Sequence, residues 1–148
     1  EGQYAAIILA AAGLKRLGLE SRIAGLIDPK DSIPAVGQGA LGIEICSGRD
    51  DLLAILAPLN HADTQMCVIA ERAMSRALAG SCTVPLGAYA TCAQDMIHMT
   101  GFVASVDGTA MVRAQVSGKP ADAESVGQQL AAALVAQGAD QILAALEH

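Results

Sequence analysis

From residue 60 onward the hydrophobic pattern changes period, and that change restricts the fold more than any other feature of the sequence. Met66, Ile69, Ala70, Ala73, Ala77 and Leu78 recur at three- and four-residue spacing, as one apolar face of a helix requires. Asn60 ahead of them is a good N-cap, Asp63 places a carboxylate beside the first-turn amides, and Gly80 stops the helix near Ala79. The period then drops to two. Leu86, Ala88, Ala90 and Cys92 form one row, Ile97, Met99, Gly101 and Val103 a second, and Val112, Ala114 and Val116 a third. Gln94-Asp95 and Asp107-Gly108 separate the rows at hairpin spacing. Helical patterns return at Ala121 to Gln137, stopped by Gly138, and again after Asp140. One helix, a three-stranded antiparallel meander and two further helices predict a small α+β domain with helices on one face of the sheet.

The first 59 residues read differently. Ala5 to Leu9 is a continuous apolar run that fits a buried strand of a parallel sheet, and it leads into a short helix ended by Gly18. Asp28 to Pro34 contains two prolines and reads as a loop. Ala40 to Cys46 alternates as a strand does, and Arg49 to Ala57 fits a helix ended by Pro58. A buried strand at the start of the chain has no earlier strand to pair with, so these pieces are expected to belong to a larger α/β protein.

Composition narrows the partners. Hydrophobic residues make up 53% but aromatics only 2%, so the core is built from small aliphatic side chains in close contact. A net charge of −6 argues against nucleic acid, whose binding needs clustered positive charge. Positive charge does gather early, at Lys15, Arg16, Arg22 and Lys30, which leaves room for a local anion site. The apolar opening is too short to span a bilayer, and no membrane partner is expected. Cys46, Cys67, Cys82 and Cys92 contain no C-x-x-C pair, a pattern that suits free thiols in a reducing cytoplasm. His61 and His98 have no cysteine or histidine at metal-ligand spacing, so no metal is expected.

Three groups of residues carry the candidate chemistry. Gly37-Gln38-Gly39-Ala40-Leu41-Gly42 has the letters of a dinucleotide-binding loop, but Pro34 precedes it and a strand, not a helix, is expected after it. It reads better as a glycine-rich turn that brings Gln38 and the backbone close to a ligand or another segment. Lys15 and Arg16 follow the first apolar run; they are either a solvated helix face or a guanidinium set to clamp a carboxylate. Cys46, Cys67 and Cys92 fall within regular elements and are expected to be buried packing. Cys82 lies in the loop Ala79-Gly80-Ser81-Cys82-Thr83-Val84-Pro85, where a rigid scaffold can present a side chain for chemistry. The preceding helix C-terminus disfavours a thiolate there, so activation has to come from elsewhere.

Three stretches, taken together, resemble the C-terminal half of the porphobilinogen deaminase (hydroxymethylbilane synthase) family. They are Leu9 to Gly18, Ile33 to Glu44, and Ala70-Glu71-Arg72-Ala73-Met74 leading to Gly80-Ser81-Cys82-Thr83-Val84-Pro85-Leu86-Gly87. The resemblance implies a transferase of three α/β domains, with a cleft between the first two. It further implies that Cys82 holds a dipyrromethane primer through a thioether. That primer is extended by porphobilinogen units, each losing ammonia, and the linear tetrapyrrole of heme biosynthesis is released by hydrolysis. Arg16 matches an arginine that binds pyrrole acetate and propionate groups, and Gln38, between Gly37 and Gly39, matches a glutamine near the cofactor.

The same mapping assigns residues 1–31 to the end of the second domain, 32–59 to a hinge and a returning segment of the first, and 60–148 to the third, cofactor-bearing domain. The family's catalytic aspartate and most of its arginines belong to the half that precedes these segments, so no catalytic residue is expected in this chain. Alone it is expected to be inactive and able to self-associate, whereas the parent is expected to be a cytoplasmic monomer. Ser81 stands where the family often has glycine. A rival reading is a stand-alone α+β binding or assembly module with a free loop thiol at Cys82.

Overall fold

A computed structural model describes residues 2–78 and 85–145. Its backbone divides into two units, Glu1–Ser32 and Ile33–His148. The smaller holds helix α1 (Ala11–Arg16), closed by Gly18 at φ 69°, and a 3-10 turn at Glu20–Arg22. The larger holds α2 (Asp50–Leu56), α3 (Ala62–Ala77), β1 (Leu86–Ala93), β2 (Met96–Ala104), β3 (Met111–Gly118), α4 (Ala123–Val135) and α5 (Ala139–Ala144).

The meander forms as the alternation predicts. The strands lie in the order β1-β2-β3, antiparallel throughout, with Ala90 opposite Met99 and Met99 opposite Val116. Gln94 and Asp95 both adopt positive φ, 52° and 57°, which a two-residue turn between twisted strands demands. Ala88, Ala90, Ile97, Met99, Val103 and Ala114 face inward and are buried, while Tyr89, Thr91, His98, Arg113 and Gln115 face outward. Helices α3 and α4 cover the inward face, and Met74, Leu130, Leu134 and Val126 fill the space between the layers. The fold is a mixed α/β arrangement with an open three-stranded antiparallel sheet.

Glycine sets the closeness of the helix pair. A Cβ on Gly127 of α4 would run into the Ala70 carbonyl oxygen of α3 and stand 2.6 Å from the Ala73 Cβ. Both obstacles are rigid, so Gly127→Ala is expected to destabilise this unit by about 2–3 kcal/mol through overpacking. Urea unfolding checks this; a loss below about 0.5 kcal/mol would contradict so tight a crossing.

Four expectations need correction. Neither 5–9 nor 40–46 forms a strand, because a strand exists only through its ladder and no described segment pairs with either. Most of their side chains stay exposed, Ile8 at 83% and Leu41 at 95%. The cap of α3 is His61, not Asn60: His61 Nδ1 accepts from the Thr64 amide at 3.3 Å and lies 2.9 Å from Thr64 Oγ1. Asn60 instead donates its side-chain amide to Gln65. Of the expected stripe, Ala70, Ala73 and Leu78 are buried and Met66 and Ile69 half-buried, but Ala77 is turned to solvent, and Cys67, Glu71 and Met74 are buried instead. Finally, Cys46 is exposed and Cys92 half-buried; only Cys67 is buried packing.

Candidate functional site

The outer edge of β1 is covered by the segment that leads into the glycine-rich turn. Gly87 permits the approach, since a Cβ there would lie 2.7 Å from the Pro34 carbonyl oxygen. The Ala88 amide then donates to that oxygen at 3.2 Å. Beyond Pro34 the chain bends away through two successive turns, with the Gln38 amide bonded to Ala35 O and the Ala40 amide to Gly37 O. Gly37 and Gly39 hold φ of 72° and 85°, which side-chain-bearing residues rarely adopt.

Where the segment leaves β1, Glu71 replaces the missing ladder. One carboxylate oxygen accepts from the Gly37 amide at 2.7 Å and the other from the Ala90 amide at 2.8 Å. Glu71 is the buried charged residue of the described chain, only 6% exposed. Burial pushes its carboxyl above the ordinary range, and the two amide donors pull it part of the way back. A single side chain of α3 thereby ties the glycine-rich turn to the sheet.

Beside this bridge lies a groove of about 810 Å³ between the turn, α2 and the first half of α3. Leu41, Ile43, Leu53 and Leu56 make its apolar wall, and Gln65 and Arg72 reach it from α3. Arg72 is exposed and has no ion-pair partner among the described residues. Its guanidinium can take a carboxylate in a planar, two-pronged contact.

The predicted site residues divide three ways. Gly37, Gln38 and Gly39 share one turn, and neither a helix nor the expected strand directly follows it. Arg16 stands exposed in the last turn of α1, in the smaller unit. Cys82 lies outside the described residues. Glu71 and Arg72 were not singled out from sequence as site residues. The available signal was a charged residue on an apolar stripe: Glu71 is four residues from Cys67 and three from Met74. Among the described residues, no helix is long and apolar enough by itself to cross a membrane.

Comparison with known proteins agrees along the chain. Residues 1–54 match the model of the porphobilinogen deaminase dipyromethane cofactor binding domain, and residues 65–136 match that of the porphobilinogen deaminase C-terminal domain. Porphobilinogen deaminase of Methylobacillus flagellatus is 68% identical over 148 residues, covering 100% of this chain and 48% of the relative. The Nitrosomonas europaea protein of the same name is 57% identical over 146 residues, covering 99% and 47% respectively. That of Laribacter hongkongensis is 53% identical over 147 residues, covering 99% and 48%. The chain spans about half the length of the curated relatives it matches.

Proposed function

Because the chain belongs to the porphobilinogen deaminase family, we propose that it is the C-terminal half of an enzyme that joins four porphobilinogen units into hydroxymethylbilane with loss of ammonia. The match of two successive family domains along the chain carries this reading. Residues 1–31, 32–59 and 60–148 then belong to the second, first and third domains. The exposed apolar side chains of 5–9 and 40–46 support it, since strands from a preceding half would cover them.

Cys82 is the tether for dipyrromethane. Sulfur suits that task because a soft nucleophile captures the electrophilic methylene left when ammonia departs from the pyrrole. When bound, the cofactor supplies the primer on which the chain grows. The described residues fit such a group. Gly37 and Gly39 bring backbone to the groove, and Arg72 offers a guanidinium to pyrrole carboxylates. Arg16, in the smaller unit, is read as a further residue for pyrrole acetate and propionate groups. Glu71 accepts from the Gly37 amide and so positions the turn that carries Gln38. The protein is read as cytoplasmic and, at full length, monomeric.

The isolated chain is expected to form no tetrapyrrole from porphobilinogen, while the full-length protein does. Product formation by the isolated chain would overturn its place as a half-enzyme. Without the preceding half its apolar segments are expected to drive association, seen as an early-eluting species in size-exclusion chromatography.

A further inference from the structure

Two thiols outside the proposed site face each other across the α3–β1 junction. Cys67 lies on the buried stripe of α3 and Cys92 near the end of β1, with their sulfurs 3.5 Å apart. We propose that Cys67 and Cys92 are a modification site that closes to a disulfide when the protein meets a small-molecule disulfide such as oxidised glutathione.

Exposure sets the order of events. Cys92 is half-buried and can be reached from solvent, whereas Cys67 is only 8% exposed. Burial, and then the neighbouring Cys92, push the Cys67 thiol up to about 12, so it waits in the protonated form. The Cys92 thiolate attacks the reagent disulfide, forms a mixed disulfide and releases one reagent thiolate. Cys67 then gives up its proton to solvent and attacks the Cys92 sulfur, which expels the second reagent thiol. Two protein thiols are oxidised and one reagent disulfide is reduced to two thiols. The weak acidity of Cys67 slows the second step, and its enforced proximity offsets that. Reaching the ~2 Å of a sulfur–sulfur bond takes on the order of 1.5 Å of movement, within reach of side-chain rotation at the half-exposed Cys92.

The bond would lie alongside the Glu71 bridge. Glu71 is one helical turn beyond Cys67, and Ala90, its partner, is two residues before Cys92 on the same side of β1. Residues 68–91, which include Cys82, would then be closed into a loop held at both ends by covalent and hydrogen bonds.

The test is to treat the full-length protein with oxidised glutathione and map its peptides after trypsin. Peptide 50–72 is expected to be linked to 77–113, with the intact protein about 2 Da lighter. Because 77–113 holds both Cys82 and Cys92, the link has to persist in Cys82→Ser and vanish in Cys92→Ser. The oxidised protein should melt about 5–15 °C higher than the reduced one. Glutathione retained on Cys92 without a link, a link lost in Cys82→Ser, or an intact thiol pair while the exposed Cys46 is modified would each overturn the proposal.

Discussion

Cys82→Ser in the full-length protein is expected to abolish tetrapyrrole formation, a loss of at least three orders of magnitude, while the variant still unfolds in one cooperative thermal transition, its melting temperature lowered by the loss of the bound cofactor. The two readouts separate chemistry from folding. Serine and cysteine are nearly isosteric, so the exchange itself adds no bulk. The sulfur, in contrast, is replaced by a poorly nucleophilic hydroxyl. Steady-state assay together with thermal unfolding checks both halves. Activity retained at a tenth of the parent level or more would show that the tether is elsewhere.

Glu71→Ala is expected to destabilise the larger unit by about 2–4 kcal/mol, because it strands two amide donors that the carboxylate now satisfies. The Gly37 amide is half-exposed and can recover water, which keeps the loss below that of two fully buried orphans. Glu71→Gln is not a rescue. Both partners are donors, and an amide offers one oxygen and turns its NH2 group against the other N–H. The pH dependence distinguishes the carboxylate from its shape. Glu71 in the folded chain is raised above the ordinary value by burial. Its favourable contribution is therefore complete below that ordinary value, 4.5, and declines as pH rises through the raised one. The deficit of Glu71→Gln relative to the parent should accordingly be larger at pH 4 than at pH 7, as denaturant titrations at the two pH values can measure. A deficit that grows with pH would contradict the burial argument.

Local signals were legible in the sequence, and long-range ones were not. The meander could be read because strand alternation, the Gln94-Asp95 turn and the Asp107-Gly108 turn all act within a few residues. The long helix was legible for the same reason, but the apolar spacing runs through Ala77 and passes over Glu71. Its burial depends on amides at Gly37 and Ala90, 34 and 19 residues away, which no periodicity reveals. The cap moved from Asn60 to His61 because either side chain can present an acceptor at adjacent positions, and backbone geometry decides between them. Segments 5–9 and 40–46 have strand composition, yet pairing requires a second segment that the described residues do not contain. Of the candidate site, the Gly37–Gly39 turn followed from its glycines, whereas Arg72 in the groove and the contact of Cys67 with Cys92 required the fold.

The intact mass of the purified full-length protein tests the central claim most directly. The account predicts a mass above that of the polypeptide by one dipyrromethane unit, and a Cys82→Ser variant at the bare polypeptide mass. A parent protein found unmodified, or an adduct that survives the loss of Cys82, would contradict it.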